Sequence, residues 1–167
     1  MPPMPNREHQ DLEGSLYHWL SLHWAGPQGN RVFPPVNVAS VGGWPNDYRT
    51  ADLVLLTPDR FHIDNNEYFE GAPTVAVEIR SPGDESYEKL DFYAELGVPE
   101  VWIIDRDSKQ PELYSLSGQG YQRLPAETDG WVASPATGVR LRAEPGPKLG
   151  VQMGNDPATH QRLPATP

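Results

Sequence analysis

Residues 73–105 read PTVAVEIRSPGDESYEKLDFYAELGVPEVWIID, and the rest of the chain is understood outward from them. In residues 73–81 the pattern alternates. Val75, Val77 and Ile79 share one face of a strand, and Ala76, Glu78 and Arg80 share the other. Two charged side chains therefore project from one face of a strand whose neighbours are apolar. Ser81-Pro82-Gly83 breaks the pattern, Asp84 offers a helix N-cap, and Tyr87, Leu90 and Ala94 mark the core side of a helix that stops at Gly97. Residues 99–105, PEVWIID, predict the next strand.

Upstream, residues 50–57 (TADLVLLT) form a short apolar run closed by Pro58-Asp59, which predicts a buried strand with Asp52 at its mouth. From Arg7 to Trp24, Leu12, Leu16, Trp19 and Leu20 recur at helical spacing and predict an amphipathic helix ending near Gly26-Pro27. Between the two lies an extended segment from Arg31 to Ser40, interrupted by Pro34-Pro35. Downstream, Glu112–Leu116 and Tyr121–Leu124 suggest a hairpin through Gly118-Gln119-Gly120, and Trp131–Leu141 a last strand pair. Trp44, Trp102 and Trp131 are expected to be packing residues. The expectation is an α/β (α+β) domain over residues 1–144, followed by a disordered, Pro- and Gly-rich tail over 145–167.

The chain has 167 residues, so one hydrophobic core is expected. Cysteine is absent, which excludes disulfides, a thiolate nucleophile and zinc sites built on cysteine. Any metal has to sit on oxygen or imidazole. No window is apolar enough for a membrane span and the start lacks a signal-peptide pattern, so a cytoplasmic protein is expected. The formal net charge is −10, and all of it lies in residues 44–107, with −1 before that stretch and +1 after it. That concentration reads either as a solvated acidic surface or as carboxylates gathered around a hard cation. Asp52 and Glu78, on neighbouring strands, are the minimum protein contribution to metal-assisted phosphodiester hydrolysis. Two carboxylates can also serve glycosidic cleavage.

Asp52, the Glu78-Ile79-Arg80-Ser81-Pro82 run, Glu88-Lys89-Leu90, Tyr93 and residues 97–105 (GVPEVWIID) together resemble the Uma-type restriction endonuclease family, a bacterial branch of the PD-(D/E)XK nuclease superfamily. The resemblance covers roughly residues 5–142. It implies a restriction-endonuclease-like core, with a central mixed sheet flanked by helices and extra C-terminal β-hairpins. It also implies Mg²⁺-dependent hydrolysis of DNA, with Mn²⁺ as an alternative ion and a homodimer as an analogy. Asp52 and Glu78 match the metal-binding acids, and the backbone carbonyl of Ile79 would complete the shell. Arg80 occupies the place of the catalytic lysine; arginine can hold a phosphate but cannot act as a base. Lys89 matches a lysine that the family uses from the next helix, although Glu85–Lys89 also reads as a surface ion pair. Glu13 matches an accessory acid and His9 a recurrent histidine of the first helix, where a capping role is the plainer alternative. The family carries a hairpin ahead of that helix, which this chain is expected to lack. If Arg80 disables the site, the remaining reading is a catalytically inactive nuclease-fold module that binds nucleic acid or a partner. The acidity adds an expectation of weak DNA engagement that falls when Mg²⁺ is removed.

Overall fold

The computed structural model describes residues 6–118 and 120–165. Met1 to Pro5, and Gln119 at the tip of the expected hairpin, lie outside the described residues, as does any question of an N-terminal hairpin. Helix α1 (Arg7–Leu20) starts where Asn6 Oδ1 accepts the His9 amide at 2.9 Å, with Glu8 in the first turn facing the positive end of the helix dipole. It continues through a π-helical segment, Ser21–Ala25, into the short α2 (Gly26–Gln28), and Gly29 in the left-handed region ends it. Pro34-Pro35 then divides the extended segment into β1 (Arg31–Phe33) and β2 (Val36–Ala39), which enter different sheets.

The central sheet has six strands in the order β1-β4-β6-β7-β8-β9, where β4 is Leu53–Leu56, β6 Val75–Arg80, β7 Glu100–Asp105, β8 Pro111–Ser117 and β9 Gly120–Arg123. Within this sheet, among the described residues, only β6 and β7 pair in parallel, with Glu78 opposite Ile103 and Arg80 opposite Asp105. Helix α3 (Lys89–Leu96) makes that crossover and stops at Gly97, whose φ of 90° suits a residue without Cβ. A small sheet, β3-β2-β5, consists of β3 (Tyr48–Ala51), β2 and β5 (Phe69–Glu70).

The period-two pattern of β6 divides the core. Val75, Val77 and Ile79 face α1, packing with Leu12, Leu16, Trp19 and Leu20. Ala76 shares the opposite cluster with Val54, Val101, Ile103 and the α3 residues Phe92 and Tyr93. The α3 helix departs from the sequence reading at its start. Asp84 caps a tight turn, accepting the amides of Ser81 and Ser86, and the helix begins only at Lys89, leaving Tyr87 exposed rather than in the core.

The expected disordered tail is a correction. β10 (Val132–Ala133) and β11 (Val139–Glu144) form the last pair that was anticipated. The chain then adds β12 (Lys148–Met153) and β13 (Asp156–Leu163), completing a four-stranded antiparallel sheet. Leu149, Val151 and Leu163 are buried in the α1-side cluster, and Trp19 Nε1 donates to the Thr159 carbonyl at 2.9 Å. Each such burial contributes roughly 1.5–3 kcal/mol. Truncation of Leu149 to alanine is therefore expected to cost about 2–5 kcal/mol in urea unfolding. An unchanged midpoint would mean that this segment is not part of the folded core.

Candidate active site

Asp52 is the single residue between β3 and β4, where the chain passes from the small sheet into the central one. Its position is fixed on β6 from both backbone and side chain. The Asp52 amide donates to Val77 O at 3.0 Å, and Asp52 Oδ2 accepts the Ile79 amide at 2.7 Å. The contact seen at Ile79 is thus its amide; a role for its carbonyl rests on the resemblance.

Helix α1 brings two further groups to the other Asp52 oxygen. His9 and Glu13 lie one turn apart on the same helix face. His9 Nε2 is 3.2 Å from Asp52 Oδ1 and 3.4 Å from Glu13 Oε1. One ligand atom from each of His9, Glu13 and Asp52 lies within 4.8 Å of the others, a spacing that can hold a metal ion. Hydrogen bonds to Asp52 and then Glu13 raise the His9 pKa from 6.5 to about 9, against the cost of burial. Among the described residues His9 Nδ1 is buried without a hydrogen-bond partner, an arrangement that costs on the order of 1–3 kcal/mol. The Nε2 side must compensate for it.

Glu78 is only 2 % exposed. Its Oε1 accepts from Lys89 Nζ at 2.9 Å and its Oε2 from the Tyr93 hydroxyl at 2.7 Å. Burial pushes its pKa up to about 7; Lys89 opposes that push, Asp52's charge adds to it, and Tyr93's hydrogen bond draws it back. The Tyr93 hydroxyl itself is driven well above its ordinary value, by burial first and by Glu78 second. Lys89 Nζ also donates to the Thr50 carbonyl at 2.7 Å, which ties Glu78 to the strand leading into Asp52.

The structure therefore brings His9, Glu13 and Asp52 together in one cluster and Glu78, Lys89 and Tyr93 in another, joined where Lys89 meets the Thr50 carbonyl. Glu78, expected beside Asp52 as a metal acid, is not one of the three groups whose ligand atoms lie within 4.8 Å of one another. It does not bring Arg80 to them. The Arg80 guanidinium donates to Asp105 Oδ2 at 3.2 Å and lies over the Tyr87 ring, 5.1 Å from its centroid. Lys89 is turned to Glu78 rather than held in a surface pair with Glu85. Tyr93, to which the sequence alone gives no separate role, is the second donor to Glu78. A signal for it existed: Lys89 and Tyr93 are four residues apart, so one helix face presents both to the same carboxylate.

The model of the family described as "Putative restriction endonuclease", Uma2, matches residues 1–144. The chain belongs to the Uma2 family. No curated protein matches it. The fold of this Uma2 chain is similar to the crystal structure titled as a putative nuclease belonging to DUF820 from Anabaena variabilis ATCC 29413, with a TM-score of 0.62 and 18% identity over 80% of this chain and 75% of that one. The match supports the mixed sheet with few helices and added C-terminal strands. The strands β12 and β13 of this Uma2 chain lie beyond the residues that the family model matches.

The two raised groups set a pH dependence. Protons on Glu78 and His9 stabilise the metal-free fold fully below their unfolded values near 4.5 and 6.5, and that stability is lost as pH rises through about 7 and about 9 respectively. The melting temperature in EDTA is expected to fall between pH 6 and 9.5, with His9→Gln flattening the upper part. An NMR titration placing the His9 ring near 6.5 would contradict this.

Proposed function

We propose that the chain is a divalent-cation-dependent nuclease that hydrolyses DNA phosphodiester bonds. The observation that carries the reading is the convergence of His9, Glu13 and Asp52 beside a buried Glu78 that already holds Lys89. Imidazole and carboxylate donors suit Mg²⁺ or Mn²⁺, and the imidazole tips the set toward Mn²⁺. Asp52, Glu13 and His9 would hold the ion, with Glu78 as the second acid that the family resemblance assigns. When bound, such an ion polarises the phosphate and makes water more acidic.

The chain's own groups then divide the work. Asp52 is held by two backbone contacts to β6, so its Oδ1, which meets His9, is aimed before any ligand arrives. Lys89 has three N–H donors, of which Glu78 and Thr50 take two among the described residues; the third can meet a phosphate oxygen as charge builds on it. Tyr93 keeps the Glu78 carboxylate from rotating. The displacement of lysine from β6 to the helix accounts for an arginine at position 80. The cationic end of the site comes from α3.

Incubation of supercoiled plasmid with Mg²⁺ or Mn²⁺ is expected to give nicked and linear products. Asp52→Asn and Lys89→Met are each expected to slow cleavage by about 10²-fold or more. Cleavage equally fast in both variants, or none with either ion, would overturn the reading. Because the ion must displace the His9 proton, Mn²⁺ affinity measured by calorimetry is expected to rise with pH up to about 9.

A further inference from the structure

Beside the Glu78–Lys89 pair, on the same face of the central sheet, lies a cavity of about 190 Å³ whose lining includes Arg80, Tyr87, Ile103, Asp105, Gln110 and Glu112. The strand register fixes where it is. Glu78, Ile103 and Glu112 face one another across β6, β7 and β8, and Arg80 is the next residue along β6 on that face. The cavity therefore lies one strand, about 5 Å, to the side of Glu78, and its lining reaches about 7 Å along the strands to Arg80 and Asp105 and about 10 Å across the sheet from β6 to β8. That is the span of a nucleotide next to the phosphate being cut. It also opens at the carboxyl ends of the two parallel strands, the end at which such sheets hold ligands.

Its chemistry selects among possible occupants. A phosphate is disfavoured, because Asp105 and Glu112 place two carboxylates against a single guanidinium. A divalent cation is disfavoured by Arg80, which already neutralises Asp105. A volume below the ~300 Å³ at which whole small-molecule sites begin admits one planar ring system. Ile103, 1 % exposed, gives an apolar floor, and Tyr87, 40 % exposed, carries the Arg80 guanidinium over its ring, 5.1 Å from the centroid. Tyr87 and Tyr114 both donate to Glu112 Oε1 at 2.8 Å, which pins the carboxylate. Glu112 Oε2 has only a loose contact of 3.7 Å with Arg123, so its acceptor capacity is not exhausted. Arg80 spends Nη1 on Asp105 and has further N–H donors.

We infer that this cavity is a base subsite, taking an unpaired nucleobase of the DNA strand adjacent to the cut through its exocyclic amino group on Glu112 and its ring acceptors on Arg80, whose guanidinium is steadied over the Tyr87 ring. The inference rests on the nuclease reading, which it deepens by naming the substrate as locally single-stranded DNA carrying adenine, cytosine or guanine at the neighbouring position. Thymine has no exocyclic amino group and is discriminated against. Arg80, displaced from the catalytic position, acquires a positioning role in recognition.

The test is fluorescence anisotropy of the full chain with labelled dA12, dC12 and dT12 in Ca²⁺. The adenine and cytosine strands are expected to bind at least fivefold more tightly than thymine. Glu112→Gln, which keeps an acceptor for the two phenols, is expected to bring that ratio below twofold, and Tyr87→Leu, at an exposed position, to weaken all three strands at least fivefold. Equal affinity of the wild-type chain for the three strands, or a ratio unmoved by Glu112→Gln in a variant that melts like wild type, would overturn the subsite. The two readings fail separately. Asp52-dependent plasmid cleavage without a base preference removes the subsite alone, whereas a Glu112-dependent preference without cleavage leaves base binding at the cavity and removes the nuclease reading, and with it the cavity's place next to a cut.

Discussion

A carboxylate that is 2 % exposed must be paired on both oxygens, and the way Glu78 meets that requirement organises the structure around it. Both donors, Lys89 and Tyr93, come from α3, so the helix can dock on the sheet only with that face inward. The docking places Phe92 and Tyr93 over Ala76, Val101 and Ile103 in the second core cluster. Lys89 reaches through to the Thr50 carbonyl and so joins the small sheet to the helix, two residues before Asp52. Loss of either donor would leave a buried charge under-compensated, a fault that typically costs about 3–5 kcal/mol. Packing and chemistry are not separable here, because the groups that make the core close properly are the groups that face the cluster of acids.

The charge distribution acquires a structural explanation. Residues 44–107 contain five basic side chains, Arg49, Arg60, Arg80, Lys89 and Arg106. Each is ion-paired within the same stretch, to Asp47, Asp59, Asp105, Glu78 and Asp107 respectively. The exposed members of this set contribute little to stability. They do reduce what the region can offer to a phosphate backbone, since its cations are already matched. Under the nuclease reading, attraction to DNA in this region has to come from a bound ion and from base contacts rather than from a basic surface.

What could be read from the sequence follows from how local the information is. The alternation in residues 73–81 announces both the strand and its two faces, because a period of two is a property of adjacent residues. Asp52 and Glu78 are recognisable for the same reason: each sits at a marked place in a short, regular element. The start of α3 was not legible, because Asp84 has the chemistry of a helix cap and uses it on a turn instead. Arg80 lies on the face expected, but a long side chain chooses its partner from the neighbouring strand, and Asp105 becomes that partner only once β6 and β7 pair in parallel. The metal-competent trio was legible only in pieces, since His9 meets Asp52 across 43 positions. β13 was hidden because it is an edge strand with mostly exposed residues and a single fully buried one, Leu163. Its composition is that of a loop.

The contact between Trp19 and Thr159 links the first helix of the chain to its last strand. α1 carries His9 and Glu13, and its buried face packs in one cluster with Leu149, Val151 and Leu163. During synthesis α1 leaves the ribosome well before β12 and β13, the strands that complete its packing. The nascent chain consequently contains His9, Glu13, Asp52 and Glu78 before the strands that pack against α1 have been made. Ordering of the helix that carries His9 and Glu13 therefore waits on residues 149–163, and a chain interrupted before residue 149 carries both side chains without the strands that pack against their helix.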